Sequence, residues 1–319
     1  MKVHVVVLNY RTPKLTVRCL ESLKHEVDEI GSMRVVVTDN DSGGDSLDII
    51  QSAIDENGWD WCTLQPLPHN GGYSSGNNAG IRPYLCSEDP PEYVMLVNPD
   101  AYVREGSIRA LLGFMESHPE VGIAGAKVED EEGKQAHSAF RFPNVASELV
   151  DGFKLGVLTK LLRDRQLLYD LGDETMPVDW VTGAAMMIRK EVLDEIGLLD
   201  DGYFLYFDEV DFCFRARQAG WEVYYVPDSV VVHLEAQATG ITDDRKEQPR
   251  YPDYWFESRR RFFVKNRGAS QAMLADLAFL AGYTTYVVRR VIQRKQDPEP
   301  PHFWWDFFRN STLVKGFDL

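Results

Sequence analysis

The sequence predicts an α/β fold in which a mostly parallel central sheet is flanked by helices. Three features point to it: continuous apolar runs, segments of helical periodicity between them, and polar residues where the runs end. Val3 to Leu8 and Arg34 to Thr38 are apolar runs rich in β-branched residues, as strands buried on both faces require. Thr12-Pro13 opens the helix between them, because proline is favoured at the first helical position. This alternation is typical of a parallel sheet with crossover helices.

The later elements continue the alternation with less regularity. The pattern predicts helices over Leu47–Ile54 and Ile108–Met115, strands over Leu64–Leu67, Tyr93–Val97 and Val121–Ala126, and a glycine-rich loop over 70–80 that runs into a helix. Residues 141–178 follow no regular pattern. Beyond them it predicts a strand over Val178–Arg189, helices over Lys190–Ile196 and Phe212–Gln218, strands over Val223–Val226 and Val230–His233, and basic helices after residue 252.

The charge balance argues against nucleic acid as a partner. The chain has 34 Lys or Arg against 50 Asp or Glu, a net charge of −16, whereas nucleic-acid binders are normally basic. From Arg259 onward the balance reverses to eleven basic and five acidic residues, which indicates a tail with a partner of its own.

The four cysteines lack zinc spacing and are expected to be reduced. The apolar start is too short for a signal peptide and no run has the length of a membrane-spanning helix, so a cytoplasmic location is predicted.

Polar residues follow three of the predicted strands. Asn9-Tyr10-Arg11, Asp39-Asn40-Asp41 and Asn98-Pro99-Asp100 stand at strand carboxyl ends, where open α/β sheets bind ligands. Each triplet alone is an ordinary turn. Three in succession at one edge favour a polar crevice with several carboxylates. The glycine-rich segment 70–80 is neither a P-loop nor a GxGxxG motif, but it could let the backbone approach a phosphate there.

Further residues could carry chemistry at this crevice. Asp100 can bind a divalent cation that bridges two phosphates, and His233 is a candidate second ligand, although a lone histidine after a strand is more often part of the core. The acidic cluster 208–211 can supply a general base whose pKa is raised by crowded like charges, or can stabilise the following helix with Asp208 as its N-cap. The segment Trp180 to Ala185 suits a sugar pocket and suits plain strand packing equally well.

Together these segments resemble the family-2 glycosyltransferases of the GT-A fold, in particular their bacterial rhamnosyltransferase-like branch. The matching segments, in order, are VVVLNYRT at 5–12, VVVTDNDSGGDS at 35–46, HNGGYSSGNNAGI at 69–81, YVMLVNPDAYV at 93–103, DWVTGAAMMIRKEVLDEIGLLDDGYFLYFDEVDFCFRARQAGW at 179–221 and VPDSVVVH at 226–233. They cover about three quarters of the chain. The QxxRW motif of processive synthases is absent from the sequence, which favours transfer of a single sugar.

The resemblance implies a role for each motif. Asp39 would contact the nucleotide base, close to the loop of Asn9, Tyr10 and Arg11. Asp100 and His233 would hold a divalent cation, Mg²⁺ or Mn²⁺. Glu209 would be the catalytic base, although the branch usually has Asp at this position, and Asp208 is therefore the alternative base. The remaining donor-site residues would be Asn70, Gly71, Gly72, Asn77, Asn98, Trp180, Thr182 and Gly183.

The activity implied is a metal-dependent, inverting sugar transfer from a nucleotide diphosphate to a hydroxyl of a cell-surface glycan or a lipid-linked acceptor. The branch favours dTDP-rhamnose as donor, with UDP-sugars as the alternative. A nucleotidyltransferase would usually have a glycine-rich loop after the first strand, and residues 9–13 contain no glycine. A non-catalytic nucleotide-sugar sensor would not need the base and the metal ligands.

Two domains are predicted. Residues 1–245 would form the catalytic domain, with a nucleotide-sugar-binding half at 1–105 and an acceptor-binding half at 106–245, and residues 246–319 would form a helical extension. In this extension an apolar helical face over Ala275 to Val288 is followed by Arg289, Arg290, Arg294 and Lys295 and by the aromatic cluster 303–308. Such a tail fits peripheral contact with the inner face of the cell membrane, and fits packing on the catalytic domain or a homodimer interface equally.

Overall fold

The computed structural model describes residues 1–234, 250–297 and 299–319. The strands are β1 (Val3–Asn9), β2 (Met33–Asp39), β3 (Cys62–Pro66), β4 (Tyr93–Val97), β5 (Ala101–Val103), β6 (Val121–Glu129), β7 (Ala139–Phe140), β8 (Met176–Pro177), β9 (Trp180–Val181), β10 (Ala185–Arg189) and β11 (Glu222–His233). The helices are α1 (Pro13–Ile30), α2 (Ser46–Asn57), α3 (Gly72–Leu85), α4 (Ser107–Ser117), α5 (Val145–Phe153), α6 (Gly156–Leu161), α7 (Lys190–Ile196), α8 (Asp208–Gln218), α9 (Asp253–Phe262), α10 (Ala269–Gln293), α11 (Phe303–Asn310) and α12 (Thr312–Lys315). A short 3₁₀ turn spans Arg163–Arg165, and a π-helical turn spans Phe263–Arg267.

The central sheet joins a parallel half to a second half through one antiparallel strand. Its main path runs β3-β2-β1-β4-β10-β6-β11-β5, and β8 pairs with β11. The first four strands are parallel to one another. β10 lies antiparallel between β4 and β6, while β6 and β11 are parallel. The predicted α/β class, with a mostly parallel sheet flanked by helices, is confirmed.

Both faces of the sheet are covered by helices, which explains the unbroken apolar runs. Val5 and Val7 belong to the hydrophobic layer that includes side chains of α1, α2 and α4. Val6 belongs to the layer on the opposite face, with side chains of α3, α8, α9 and α10. All three valines are fully shielded from solvent. Successive side chains of a strand point to opposite faces, so a strand between two helical layers needs apolar residues at every position.

The glycine-rich segment is helical over most of its length, and the loop predicted for 70–80 is in this respect wrong. α3 begins at Gly72, and its glycines let the helix lie against the sheet. A Cβ atom at Gly76 would lie 2.4 Å from Leu8 Cδ1, and one at Gly80 would lie 2.8 Å from Val6 Cγ1. Here glycine provides close helix–sheet packing, a use that the sequence pattern does not distinguish from loop flexibility.

The strand predictions differ from the structure in two further places. The run Val178–Arg189 is divided, because β9 pairs with β7 in a separate two-stranded sheet while β10 enters the main sheet. Conversely, β11 is one strand where two were predicted, and a register shift against β6 between Val226 and Val230 accommodates Pro227. The irregular region 141–178 contains α5, which begins with a capping box at Asn144 and Ser147, and the short α6.

The C-terminal helices pack on the rest of the protein. Arg259 on α9 is buried and forms ion pairs with Glu148 on α5 at 2.7 Å and with Asp276 on α10 at 2.6 Å. Phe303 and Phe307 on α11 are buried in an aromatic cluster with side chains of α9 and α10. An ion triad and an aromatic cluster therefore fix these helices in place.

The predicted boundary between residues 245 and 246 lies outside the described residues, which exclude 235–249. The domain limits stay a prediction. In the described part of the chain, no helix combines the length and the apolarity needed to cross a membrane.

We predict that Arg259→Ala lowers the free energy of unfolding by about 3–5 kcal/mol, because it leaves two buried carboxylates without their cation. Urea denaturation followed by circular dichroism would measure the change. Arg309→Ala on α11 is the control, since Arg309 is exposed and its loss is expected to cost about 0.5 kcal/mol or less. Equal effects of the two substitutions would contradict a structural role for the triad.

Candidate functional site

A cleft of about 500 Å³ opens at the carboxyl ends of β1, β4 and β11. Ten of the residues predicted from sequence line it: Tyr10, Asn70, Gly72, Asn98, Asp100, Thr182, Gly183, Asp208, Glu209 and His233. Six others lie outside the lining: Asn9, Arg11, Asp39, Gly71, Asn77 and Trp180. The polar strand ends therefore meet at one site, as the position of strand ends in an open α/β sheet requires.

The short strand β5 brings Asp100 and His233 together. β5 pairs antiparallel with the end of β11, so that Ala101 lies opposite His233. The Nε2 atom of His233 lies 3.1 Å from Oδ1 of Asp100 and 3.3 Å from Nδ2 of Asn98. The side chain of Asp100 is 6% exposed and that of His233 is 16% exposed. Residues 133 positions apart thus form a compact polar group at the cleft wall.

The donor atoms of this group suit a divalent cation. Oδ1 of Asn98 is buried and has no hydrogen-bond partner among the described residues, whereas buried amide oxygens normally have one. An amide oxygen, a carboxylate and an imidazole are ligands that Mg²⁺ or Mn²⁺ accepts. Within the described ranges no group of three or more His, Cys, Asp or Glu side chains is arranged to hold a metal ion. A cation here would therefore need further ligands from a bound anion or water.

A second part of the wall is built from amides. Asn40 Nδ2 donates to Asn70 Oδ1 at 2.8 Å and to the Gly72 carbonyl at 3.1 Å, and Asn40 Oδ1 accepts from the Gly71 amide at 3.2 Å. The backbone amide of Tyr73 donates to the carbonyl of Phe204 at 2.6 Å. These bonds lock the start of α3 to the end of β2 and to the loop before α8.

Asn9 and Asp39 lie behind this wall and bind each other. Asn9 Nδ2 donates to Asp39 Oδ2 at 2.5 Å, and Asn9 Oδ1 accepts from Thr16 Oγ1 at 2.8 Å. Asp39 Oδ1 accepts from the Ser42 amide at 3.0 Å. Both side chains are buried, and their bonds tie the ends of β1 and β2 to the segments that start α1 and α2. The contact predicted between Asp39 and a nucleotide base stays a prediction.

The other predicted residues outside the lining also have partners within the protein. Asn77 Nδ2 donates to the Tyr73 carbonyl at 3.0 Å. Trp180 Nε1 donates to the Arg141 carbonyl at 3.0 Å, and its ring stacks on Phe140 at a centroid distance of 4.2 Å. The guanidinium of Arg11 lies over the Tyr10 ring at 5.0 Å. Arg11 is exposed beside the lining residue Tyr10, so it is the residue of this group that a ligand at the cleft mouth could reach.

Two residues in left-handed conformation precede α8. Tyr206 has φ 67° and Phe207 has φ 62°, a backbone conformation that costs a non-glycine residue about 1–2 kcal/mol. Phe207 is the N-cap of α8 and Asp208 is its first residue, so the N-cap role predicted for Asp208 is wrong. The sharp turn at these two residues starts the helix at the cleft, and both Asp208 and Glu209 line the wall. Strained residues often cluster at functional sites, and these two adjoin the cleft.

The environment of the two carboxyls favours their protonated forms. Burial, with the neighbouring Glu209 carboxylate as a further cause, raises the pKa of Asp208 well above its usual range, and burial raises the pKa of Glu209. Oδ2 of Asp208 is buried and lacks a hydrogen-bond partner in the described part of the chain. Because the two carboxyls interact, they titrate as a pair. One of them is therefore a stronger proton acceptor than an isolated carboxylate.

Several lining residues had not been identified from sequence. Tyr254 on α9 reaches the cleft from the C-terminal helices, and its ring lies 5.2 Å from that of Phe204 and 6.3 Å from that of Tyr206. His137, between β6 and β7, also lines the cleft. The further additions are Leu8, Asn40, Tyr73, Pro99, Val128, Ala184, Phe204, Leu205 and Tyr206. Asn40 and Pro99 belong to the polar strand-end triplets noticed in the sequence, whereas Tyr254 and His137 belong to no such motif and reach the cleft through tertiary packing.

The chain matches a family model described as glycosyltransferase like family 2 over residues 2–261. It is 31% identical over 158 residues to the N-acetylglucosaminyl-diphospho-decaprenol L-rhamnosyltransferase of Mycobacterium tuberculosis, a match that covers 47% of this chain and 49% of that protein. This chain thus spans about half the length of that relative. It is 27% identical to the low-salt glycan biosynthesis hexosyltransferase of Haloferax volcanii, over 82% of this chain and 75% of that protein.

Solved structures share the fold. A mannosyltransferase from Pyrobaculum calidifontis, solved in complex with GDP-mannose and Mn²⁺, superposes with a TM-score of 0.58 at 14% identity, over 92% of this chain and 75% of that chain. At this level of identity the likeness concerns the fold, and it agrees with the GT-A architecture that the sequence resemblance implies.

We predict that Gly72→Ala destabilises the protein by at least about 1 kcal/mol more than Gly106→Ala. Both glycines have φ +83°, so alanine brings the same backbone strain to each. A Cβ at Gly72 would lie 2.2 Å from the Phe204 carbonyl oxygen, whereas a Cβ at Gly106 would have its nearest neighbour at 3.6 Å, the mobile end of Arg109. Urea unfolding of both variants measures the difference, and equal stability of the two would show that Phe204 can move away without cost.

Proposed function

The chain belongs to the glycosyltransferase like family 2, and we propose that it is an inverting glycosyltransferase that moves a sugar from a nucleotide diphosphate to an acceptor hydroxyl. The observation that carries the proposal is the composition of the cleft. One wall holds Asp208 and Glu209, whose environment raises their pKa, and another holds the Asp100–His233 pair. A proton acceptor and a phosphate-binding cation site in one cleft are the two groups that such a displacement needs.

For the donor we propose dTDP-rhamnose. The rhamnosyltransferase of Mycobacterium tuberculosis supports rhamnose as the sugar by its similarity. A UDP-sugar is the alternative donor. For the acceptor we propose a lipid-linked sugar or a cell-surface glycan. The aromatic rings of Phe204, Tyr206 and Tyr254 at the cleft offer flat apolar faces, against which the carbon face of a pyranose ring can pack.

For the cation we propose Mg²⁺ or Mn²⁺. Asp100 and His233 would hold it, and the buried Oδ1 of Asn98 is a third donor beside them. When bound, such an ion supplies positive charge to a diphosphate leaving group. Because these side chains fill only part of a coordination sphere, the cation is expected to bind tightly only with the nucleotide present.

The proposed reaction is a single displacement. The carboxylate of Glu209 accepts the proton of the acceptor hydroxyl while the oxygen forms a bond to the anomeric carbon. The bond between that carbon and the diphosphate breaks on the opposite face, so the configuration inverts. Glu209 is half-buried at the cleft and Asp208 is more deeply buried, so Glu209 is better placed to meet a hydroxyl. Burial of the Asp208 carboxyl beside it favours a proton on Asp208, which leaves Glu209 ionised as the base.

Asp100→Ala should abolish the increase in nucleoside-diphosphate affinity that Mn²⁺ produces. The substitution removes the carboxylate from the proposed cation site, and Asp100 contributes no apolar side chain to the core. Isothermal titration with and without Mn²⁺ measures the effect, which we expect to be about tenfold or more in the parent protein. Asp60→Ala, at an exposed position near the other end of the sheet, is the control. An equal increase in nucleoside-diphosphate affinity with Mn²⁺ in the Asp100 variant and the parent would contradict the cation assignment.

Glu209→Gln should keep donor affinity and lower kcat by roughly 10²–10⁴-fold, the range typical of general base catalysis. Asp208→Asn should have a smaller effect. Transfer and donor hydrolysis would be assayed with dTDP-rhamnose and UDP-sugars. A dead Asp208→Asn enzyme beside an active Glu209→Gln enzyme would reverse the assignment, and a parent protein that binds donor without turning it over would point to a nucleotide-sugar sensor.

The pH profile gives the same prediction a second readout. The base must be ionised, so activity falls as the pH drops through its pKa, and the raised pKa of the pair places this fall above the usual range of a carboxyl group. In Glu209→Gln the residual activity should no longer fall as the pH drops through this range. An unchanged fall of activity in that variant would show that another group is titrating.

A further inference from the structure

A surface outside the cleft combines exposed apolar side chains with basic ones. On α6, Val157 is 81% exposed and Leu161 is 78% exposed. At the end of α10, Val288 is 57%, Val291 is 65% and Ile292 is 77% exposed. We call these five residues the α6–α10 patch. Single exposed apolar residues are ordinary, but several large ones on two neighbouring elements mark a surface that binds something apolar.

Contacts at the start of α6 bring the two parts of the patch to one end of the molecule. Arg289 on α10 donates to the carbonyls of Phe153 and Lys154, both at 2.9 Å, and α6 begins at Gly156. The Lys154 ammonium lies 5.6 Å from the centre of the Tyr286 ring and forms an ion pair with Glu299. The end of α10 is therefore fixed to the residues that lead into α6.

The surroundings of the patch are strongly basic in a strongly acidic protein. The segments 154–165 and 288–297 contain eight Lys or Arg and two Asp, whereas the whole chain has a net charge of −16. Arg290 pairs with Asp297 at 3.1 Å and Arg163 pairs with Asp170 at 3.4 Å. The exposed basic side chains around the patch are Lys160, Arg163, Arg165, Arg294 and Lys295.

We propose that the α6–α10 patch docks the protein on an anionic phospholipid surface. Exposed aliphatic side chains flanked by lysine and arginine are what binding in the plane of a membrane interface requires. Each basic residue near such a surface adds favourable energy that salt weakens. A two-fold dimer through the same patch would bring the basic residues of two copies together, and like charges would then oppose the contact.

This surface overlaps only in part with the membrane contact predicted from sequence. That prediction combined the helical face Ala275–Val288 and the basic residues after it, which the patch shares at Val288, with the aromatic cluster 303–308. In the structure Phe303 and Phe307 are buried against α9 and α10, and Trp304 Nε1 donates to Thr284 Oγ1 at 2.8 Å. Trp305, at 52%, is the aromatic ring of that cluster with the largest exposed fraction. The exposed apolar residues lie instead at the far end of α10 and on α6, which the sequence pattern did not identify as a helix.

Co-sedimentation of the full chain with vesicles tests the proposal. We expect binding to vesicles that contain phosphatidylglycerol, little binding to pure phosphatidylcholine, and release at about 0.5 M salt. The triple variant V157S/L161S/I292S removes the apolar part and R294E/K295E reverses charge in the basic part. Each should weaken binding to phosphatidylglycerol vesicles by about tenfold or more.

Matched controls separate the patch from general surface effects. L313S/V314S removes exposed apolar residues from α12, which contacts α10 near Asp276, about 24 Å along the helix from Ile292 at 1.5 Å per residue. R82E/K134E makes the same charge change elsewhere on the surface. Both controls should bind vesicles as the parent chain does. Donor hydrolysis by the patch variants should equal that of the parent, so a failed docking proposal leaves the proposed catalytic function untouched.

Three results would overturn the proposal. The first is failure of the parent chain to sediment with phosphatidylglycerol vesicles at low salt. The second is equal binding by patch variants and controls. The third is a parent chain that is dimeric by light scattering and becomes monomeric in V157S/L161S/I292S, which would assign the patch to a second copy of the chain.

Discussion

The carboxylate of Asp211 is fully shielded from solvent, and four side chains from three parts of the chain surround it. Tyr203 donates to it at 3.1 Å, Arg215 at 2.9 Å, Lys265 at 2.9 Å and Asn266 at 2.7 Å. A buried charge without such partners would cost several kcal/mol, so the folded state requires all of these groups to be in place. Asp211 lies one helical turn from Asp208, and its partners therefore hold the start of α8, with the two carboxyls of the cleft, at a fixed position.

The same interaction explains why the C-terminal helices belong to the body of the protein. Lys265 and Asn266 come from the π-helical turn after α9, and Phe262, Phe263 and Ala272 share one hydrophobic layer with the sheet. Removal of this region would expose that layer and leave Asp211 without two of its partners. The sequence left open whether this tail packs on the catalytic domain or meets another partner, because charge describes the surface and carries no information on what the buried face of a helix contacts.

The parallel half of the sheet could be predicted because its information is local. The apolar composition of Val3 to Leu8 is enough to predict a buried strand, and the proline of Thr12-Pro13 is enough to predict the start of the next helix. From the residue pattern His233 is no more than a candidate partner of Asp100, and the family resemblance is what favours the pairing, since the strand pairing that joins them links positions far apart in sequence. For Asn9 and Asp39 the sequence predicts the position at a strand end but not what the side chain binds. Polar residues at a strand end serve equally to bind a ligand or to anchor the next helix, and sequence does not separate the two uses.

Tyr254 lines the cleft from α9, whereas Asn40, Asn70 and Asp100 line it from segments in the first hundred residues of the chain. If the aromatic group of Phe204, Tyr206 and Tyr254 meets the acceptor, the two substrates are contacted by segments that can change independently in evolution. Substitution of Tyr254 would then alter acceptor choice while Asn40, Asn70 and Asp100 on the opposite side stay unchanged. Diversity of products among relatives would then arise by substitution of single aromatic side chains at the mouth of the cleft, with no change in the sheet that carries the other wall.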